Sequence, residues 1–259
     1  MEVIGLQLDI LWENKPSNHA KVREMIERAE PPSGSLVVLP EMFATGFSMN
    51  VATISDSDSR ETQDFLARTA VDCRVYLLGG VVTKELNGRG RNECVVYSPD
   101  GHEIARYSKL HPFSIGSELE YYTPGESISI FDLQGFKIAP FICYDLRFPE
   151  IFRTAVRSGA NLYTVIASWP IAREEHWVTL LKARAIENQA YFIGVNRCGS
   201  DPKYVYPGHS LIIDPHGKVI AEAGREECII RANLNLEELL TYRREFPVLD
   251  DLKPEYVKK

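Results

Sequence analysis

Three side chains that could do chemistry follow predicted strands of this 259-residue chain, at the points where those strands end. Glu41 follows an apolar strand at 35–39, Lys109 follows a strand at 103–107, and Cys143 closes a third strand. Because ligand sites in open α/β sheets gather at strand ends, we expect the three side chains to lie together. A cysteine thiolate is a strong nucleophile, and a carboxylate and an ammonium group nearby could supply a base and a positive charge.

Each of these residues has a plainer interpretation when it is considered alone. Most charged residues lie at the surface, so Glu41 could cap a loop and Lys109 could be a solvated charge. A cysteine in an apolar strand, such as Cys143, is usually an inert core residue. The chemical interpretation therefore depends on the three residues taken together.

The elements that must position these residues alternate between apolar runs and helical patterns, which is typical of an α/β protein. Two predicted hairpins, at 94–107 and 211–221, have strong turn chemistry between their strands and make the sheets mixed instead of purely parallel. With no internal repeat or linker, we predict a single domain over residues 1–259. From about residue 246 the chain carries two prolines and several charges, which predicts an extended C-terminal arm.

Composition excludes several function classes. Hydrophobic and charged contents of 44% and 25% are ordinary for a soluble globular protein. The net charge of −7 disfavours a nucleic-acid partner, because nucleic-acid-binding proteins usually carry a basic face. No apolar run reaches the length of a membrane span, and residues 1–6 predict a strand and not a signal peptide.

Cysteines and histidines give no indication of a disulfide framework or a metal site. The five cysteines are odd in number and lack Cys-x-x-Cys spacing, so we expect free thiols and a cytoplasmic location. The six histidines are scattered and form no His-x-x-x-His pair, which makes a metal-dependent hydrolase a weak alternative. We expect no metal and no cofactor.

The segments around the three candidate residues carry specific motifs, which are 39–43 (LPEMF), 107–111 (YSKLH) and 143–150 (CYDLRFPE). In order and separation they resemble the nitrilase, or carbon–nitrogen hydrolase, superfamily. The resemblance runs from residue 3 to beyond residue 230. It implies an α/β fold, a four-layer α-β-β-α sandwich with mixed sheets, and assembly as a homodimer or a higher homo-oligomer.

The resemblance also implies a Glu–Lys–Cys triad, in which Glu41 is the base, Lys109 the lysine and Cys143 the nucleophile. Many members of the superfamily use a second glutamate on the loop after the lysine. Glu118 matches that position, and Glu120 is the close alternative.

The implied reaction begins when the Cys143 thiolate attacks an amide carbonyl and Glu41 takes the thiol proton. Lys109 and the backbone N–H of Tyr144 would hold the oxyanion. Ammonia leaves, and water activated by Glu41 hydrolyses the thioester. Pro149 suits the first turn of a helix, whose N-terminal partial positive charge would help to stabilise the thiolate.

Within the superfamily, the chain looks like the omega-amidase (2-oxoglutaramate amidase) branch. The segments that carry this likeness are 41–49 (EMFATGFSM), 167–170 (ASWP), 176–177 (HW) and 183–191 (ARAIENQAY). Nitrile hydrolysis is less expected, since true nitrilases commonly have tryptophan where this chain has Tyr144. The implied reaction hydrolyses the terminal amide of 2-oxoglutaramate or 2-oxosuccinamate to a dicarboxylate and ammonia.

A keto-acid amide carries a carboxylate, which a guanidinium can bind through two parallel hydrogen bonds. Arg147 and Arg173 are the candidates, although Arg147 could instead pair with Asp145 or Glu150 and serve the structure. Further candidates for substrate contacts are two aromatic residues and a histidine, Phe47, Trp169 and His176.

Two other functions remain open. A hydrolase of N-carbamoyl amino acids or of simple aliphatic amides would use the same triad. A non-catalytic binding or assembly protein could keep the fold, although such a chain need not retain Glu41, Lys109 and Cys143 together. The expected partners are a small amide and water, with no nucleic acid and no membrane.

Overall fold

A computed structural model describes residues 1–56 and 59–253. Its strands are β1 (Glu2–Gln7), β2 (Leu36–Val38), β3 (Tyr76–Lys84), β4 (Gly90–Tyr97), β5 (Glu103–Ser108), β6 (Phe131–Leu133), β7 (Phe136–Ile142), β8 (Leu162–Ala167), β9 (Tyr191–Asn196), β10 (Cys198–Ser200), β11 (Val205–Pro207), β12 (Leu211–Ile213), β13 (Val219–Glu222) and β14 (Cys228–Asn233). Its α-helices are α1 (Lys15–Ala29), α2 (Val51–Ile54), α3 (Glu61–Cys73), α4 (Glu118–Tyr121), α5 (Pro149–Arg157), α6 (Glu174–Asn188) and α7 (Leu236–Glu245). Short 3-10 turns lie at Ser114–Gly116, Cys143–Arg147, Ile171–Arg173 and Val248–Asp251.

The strands form two six-stranded mixed sheets and a small two-stranded one. The first sheet has the order β14-β1-β2-β3-β4-β5, and the second has the order β13-β12-β9-β8-β7-β6. The parallel strands are β1, β2 and β3 in the first sheet and β7, β8 and β9 in the second. The remaining strands of each sheet pair antiparallel on either side of them. Both predicted hairpins are present, and the prediction of mixed sheets is confirmed.

Side-chain alternation in the first sheet shows how the layers stack. Val3 and Val38 pack into the core shared with the second sheet, whereas their neighbours Ile4 and Val37 pack into a core that includes residues of α1 and α3. Alternate residues of a strand face opposite sides of its sheet, so this sheet is buried on both faces. Residues of α5 and α6 join the core of the second sheet. The predicted four-layer α-β-β-α sandwich is confirmed.

The β4–β5 hairpin brings Lys109 to the site. In its turn, the N–H of Gly101 donates to the Ser98 carbonyl at 2.9 Å and the N–H of Ser98 donates to the His102 carbonyl at 2.9 Å. Gly101 has φ +77°, a conformation that glycine adopts without steric cost. The two strands run antiparallel from this turn, and the N–H of Lys109 donates to the Asn92 carbonyl at 2.9 Å.

Differences from the prediction lie mainly at short elements. The helical pattern of residues 18–29 predicts a helix that begins at 18, but α1 begins at Lys15, because the Asn14 side chain caps its first turn. Strands β6, β10 and β11 and helices α2, α4 and α7 were not predicted. The arm predicted from residue 246 contains a 3-10 turn at Val248–Asp251, and residues 254–259 lie outside the described residues.

Across residues 1–56 and 59–253, none of the helices is both long and apolar enough to cross a bilayer.

Candidate active site

The Glu41 carboxylate lies at the end of β2 and is fully buried. Its Oε1 accepts hydrogen bonds from Asn92 Nδ2 at 2.7 Å and from Lys109 Nζ at 2.9 Å. Its Oε2 accepts the backbone N–H of Ser168 at 2.8 Å, and Ser168 follows β8 in the second sheet. The carboxylate therefore joins the carboxyl ends of strands from both sheets.

The Lys109 ammonium is buried between two carboxylates. Nζ donates to Glu41 Oε1 at 2.9 Å and to Glu118 Oε2 at 2.8 Å, and the lysine side chain is 1% exposed. Burial lowers the pKa of Lys109, but the carboxylates of Glu118 and Glu41 outweigh it and hold that pKa well above the usual range. Lys109 is therefore a permanent positive charge.

Glu118, and not Glu120, is the second glutamate that contacts Lys109. Its carboxylate accepts Phe113 N–H at 2.6 Å and Asn92 Nδ2 at 2.8 Å in addition to the lysine, while Glu120 is exposed. Burial raises the pKa of Glu118, and the Lys109 charge acts in the opposite direction.

Cys143 follows β7 in a sharp turn. Its φ of +47° is a left-handed conformation that costs energy for a residue with a Cβ. The turn is held by the buried Asp145 carboxylate, whose Oδ2 accepts Ile142 N–H at 3.1 Å and the Tyr107 hydroxyl at 2.7 Å. Oδ1 accepts the backbone N–H of His111 at 3.0 Å. Asp145 thus ties the cysteine turn to the chain segment that carries Lys109, and it does not pair with Arg147 as one interpretation of the sequence suggested.

The helix predicted to begin near Pro149 is present, because α5 begins at that residue. Between the thiol and α5 lies the 3-10 turn Cys143–Arg147, which was not predicted. Tyr144 is the second residue of that 3-10 turn, so its N–H belongs to the first turn, where no acceptor is available within the turn itself. An N–H in this position, one residue after the thiol, is suited to donate to an oxyanion.

The Cys143 thiol rests in its protonated form. Burial and then the negative charge of Glu41 raise the pKa of the thiol well above its usual range, against the opposing effect of Lys109. A stable thiolate, which the sequence suggested a helix N-terminus would favour, is therefore not the resting state. A thiol in this state would need a base to accept its proton before it could act as a nucleophile.

A cavity opens beside the thiol. It is lined mainly by aromatic residues and two arginines, and its lining comprises Phe47, Phe113, Cys143, Tyr144, Arg147, Ser168, Trp169, Pro170, Arg173, Tyr204 and Tyr206. Every predicted substrate contact except His176 is in this set. His176 is not in the lining, but it contacts a lining residue, because its Nδ1 lies 3.3 Å from Arg147 Nη2.

The two cavity arginines have aromatic neighbours but no acidic partner among the described residues. The Arg147 guanidinium lies 4.6 Å from the Trp169 ring centroid, and the Arg173 guanidinium lies 5.4 Å from that of Phe113. Burial lowers the pKa of Arg147, and the nearby charge of Arg173 lowers it further. Two mutually repelling cations in an apolar cavity favour an anionic ligand.

Six site residues were not predicted: Asn92, Phe113, Ser168, Pro170, Tyr204 and Tyr206. Ser168 and Pro170 lie in the 167–170 motif, although no role was predicted for them. Asn92 also had a recognisable pattern, because it shares one face of β4 with Cys94 and Val96, which point into the core between the sheets. A polar residue on a core-facing side of a strand needs a buried partner. The two tyrosines lie on and beside β11, a strand that sequence patterns did not predict.

The donor set in the described part of the chain does not suggest a metal centre. No group of three or more histidine, cysteine, aspartate or glutamate side chains in this part of the chain is arranged to hold a metal ion. Of the catalytic candidates, Cys143 and Tyr144 line the cavity. Glu41 and Lys109 are not in the lining but contact residues that are, because Glu41 accepts the Ser168 N–H and the Lys109 ammonium lies 5.3 Å from the Phe47 ring centroid. A thiol, a carboxylate, an ammonium and a backbone N–H are the groups that acyl transfer through a cysteine requires.

Comparison with known proteins agrees with this geometry. The family model "Carbon-nitrogen hydrolase" matches residues 5–244. The chain is 40% identical to 2-oxoglutaramate amidase of Bacillus subtilis, with 96% of each chain covered, and 35% identical to omega-amidase YafV of Escherichia coli K12, covering 97% of this chain and 96% of the relative. A carbon–nitrogen hydrolase superfamily protein of Xanthomonas campestris, solved with an arsenic adduct in its active site, superposes with a TM-score of 0.92 at 29% identity, covering 98% of this chain and 97% of the other. The chain belongs to the carbon–nitrogen hydrolase (nitrilase) family and is a cysteine-dependent amidohydrolase.

Proposed function

We propose that the protein hydrolyses the terminal amide of a small 2-oxo-acid amide, 2-oxoglutaramate or 2-oxosuccinamate, to a dicarboxylate and ammonia. The observation that carries the proposal is the cavity itself, because Cys143 lines the same space as Arg147 and Arg173. A substrate with an amide at one end and a carboxylate at the other would meet a nucleophile and a cation in one pocket. The relatives named as 2-oxoglutaramate amidase and omega-amidase support this choice.

In the first half-reaction, the Cys143 sulfur bonds to the amide carbon while Glu41 accepts the thiol proton. The carbonyl electron pair moves to oxygen, where Lys109 and the backbone N–H of Tyr144 stabilise the negative charge. The tetrahedral intermediate then collapses. The carbon–nitrogen bond breaks, the nitrogen takes the proton from Glu41, and ammonia leaves a thioester on Cys143.

In the second half-reaction, water attacks the thioester carbon and Glu41 accepts a proton from the water. The carbon–sulfur bond breaks, the proton returns to the Cys143 sulfur, and the carboxylate product is released. Glu118 does not bond to substrate in this scheme. It holds the Lys109 ammonium in place through the contact of 2.8 Å to Nζ.

A panel of amides with ammonia release as the readout tests the substrate. We expect kcat/KM for 2-oxoglutaramate to exceed that for butyramide by at least about 100-fold, since butyramide lacks the carboxylate and forms no charge-assisted hydrogen bonds. L-Glutamine should also be poor, because its ammonium would face Arg147 and Arg173 in a cavity whose described lining has no carboxylate. An N-carbamoyl amino acid is the third comparison. Equal rates for 2-oxoglutaramate and butyramide would exclude the keto-acid amide as the preferred substrate.

Removal of the carboxylate-binding cation should separate binding from chemistry. The two variants to compare are Arg147→Met and Arg173→Met. The one that removes the carboxylate contact should lower kcat/KM for 2-oxoglutaramate by about 10- to 100-fold, mainly by raising KM. Hydrolysis of butyramide should be nearly unchanged. Arg244→Met, at an exposed helix position, serves as the control. If both cavity variants retained the wild-type KM, the carboxylate would have to bind elsewhere.

Location and assembly belong to the same proposal. We propose a cytoplasmic enzyme, a location supported by the free state of all five cysteines. A homodimer is proposed from the family resemblance. A non-catalytic role is disfavoured because the buried Glu41–Lys109–Glu118 cluster is costly to retain without a chemical use.

A further inference from the structure

One residue outside the family-based assignment, Asn92, contacts both carboxylates of the site and the backbone of Lys109. Its Nδ2 donates to Glu41 Oε1 at 2.7 Å and to Glu118 Oε1 at 2.8 Å. Its backbone carbonyl accepts the N–H of Lys109 at 2.9 Å. The side chain is 2% exposed, so these contacts are made without competition from water.

The orientation of the Asn92 amide is fixed by charge. Oδ1 is buried and has no hydrogen-bond partner among the described residues. In the opposite orientation of the amide, Oδ1 would face the carboxylates of Glu41 and Glu118. A carbonyl oxygen and a carboxylate repel each other, so that orientation is unfavourable. The structure therefore leaves one acceptor unsatisfied in order to present both amide hydrogens to the two anions.

The Glu41–Glu118 pair carries more negative charge than the single ammonium of Lys109 neutralises. The titratable groups that face the pair are Lys109 from the end of β5, Cys143 from the end of β7, and the hydroxyls of Tyr122 and Tyr206. Burial raises the pKa of both tyrosines and of the thiol, so these three groups are neutral. Two carboxylates thus share one ammonium, and neutral donors must stabilise the second negative charge. The backbone N–H of Ser168 serves Glu41 and that of Phe113 serves Glu118, whereas the Asn92 amide donates to both carboxylates.

We infer that Asn92 is a positioning residue that holds the carboxylates of Glu41 and Glu118 in place and stabilises their negative charge, so that Glu41 can accept the Cys143 thiol proton. The inference rests on the proposed function, because it takes Glu41 as the base. A buried pair of carboxylates that lacks sufficient donors binds a shared proton. A proton on Glu41 would block the first step of the reaction.

The pH dependence of Asn92→Ala tests this inference. We expect the acidic limb of its kcat/KM profile to move upward by about one to two pH units, the equivalent of one hydrogen bond to a charged group. KM should change little, because Asn92 does not line the cavity. The matched control is Asn188→Ala, which also removes a buried asparagine with an unpartnered Oδ1 but lies at the end of α6. Its profile should superpose on that of the wild type.

A second variant covers the case in which the alanine variant does not fold. Asn92→Asp keeps the size of the side chain and replaces the amide donor with a third carboxyl group, so its acidic limb should move upward at least as far. The rate of Cys143 alkylation by iodoacetamide, followed across pH by peptide mass, gives a readout that needs no substrate. Failure of the wild type to hydrolyse any 2-oxo-acid amide would defeat the proposed function, and the alkylation profiles would still decide on Asn92. A uniform loss of rate in both variants, with no displacement of either pH profile, would overturn the inference.

Discussion

Cys143→Ala is expected to release no ammonia from any amide above a residual rate at least about 10⁴-fold below that of the wild type. The variant removes the atom that bonds to the substrate carbon, and no neighbouring group can replace it. Folding should be retained, because the sulfur is a small part of a core that both sheets and α5 share. The measurements are ammonia release and a thermal unfolding curve.

Cys73→Ala provides the control for cysteine removal. Cys73 ends α3, on the opposite side of the first sheet from the cavity, and is half-buried. Its replacement should leave kcat/KM within about twofold, as is usual for substitutions away from a site. Ammonia release by Cys143→Ala at a rate near that of the wild type would contradict the mechanism.

Lys109→Met should lose both catalysis and stability. Without the ammonium, the oxyanion loses a charged donor and the Glu41–Glu118 pair loses its cation, so kcat should fall by at least about 10³-fold. Leaving the two carboxylates buried without a counter-charge should cost about 3–5 kcal/mol in the free energy of unfolding. Denaturant titration measures this loss. Lys137→Met, which removes a surface pair with Asp132, should cost less than about 1 kcal/mol.

The stability loss in Lys109→Met should also depend on pH. At least one of the two buried carboxyl groups must hold a proton in the folded variant, and it loses that proton on unfolding at neutral pH. The folded state then binds more protons than the unfolded state, so the free energy of unfolding falls as pH rises above the ordinary carboxyl range. The variant should therefore be closer to the wild type at pH 5 than at pH 8. An equal destabilisation at both values would show that the carboxylates stay ionised without the lysine.

The positions of Glu41, Lys109 and Cys143 could be predicted from the sequence because each follows a strand with a clear apolar pattern. Strand β8 and the two hairpins were also predictable, since short apolar runs and turn residues are local signals. Helix boundaries were less accurate. A capping residue such as Asn14 extends a helix beyond its apolar pattern.

The turn at Cys143 could not be predicted from local patterns. A positive φ at a cysteine is unfavourable in isolation and persists because Asp145 receives hydrogen bonds from Ile142, Tyr107 and His111. Two of those donors come from a segment more than thirty residues earlier in the chain. The helix that begins at Pro149 was predictable from its proline, whereas the 3-10 turn between Cys143 and that helix depends on these tertiary contacts.

The hydrogen-bond partners of Glu41 could not be predicted for a similar reason. Asn92 is 51 residues away from Glu41 in the chain, and Ser168 is 127 residues away. Such contacts depend on how the two sheets meet, which no single strand encodes. The residues that line the cavity divide in the same way: the motif residues Arg147 and Trp169 were predicted, but Tyr204 and Tyr206 follow a segment with little pattern.

The most direct test of the mechanism is to locate the acyl group during turnover. The enzyme is mixed with 2-oxoglutaramate, quenched in acid within the first turnovers and mapped by peptide mass, while hydroxylamine in a parallel reaction intercepts any thioester as a hydroxamate. We expect the acyl mass on the peptide that contains Cys143, with hydroxamate formed at the expense of the free acid. An acyl group on another cysteine, or ammonia release with neither acyl-enzyme nor hydroxamate, would contradict the account.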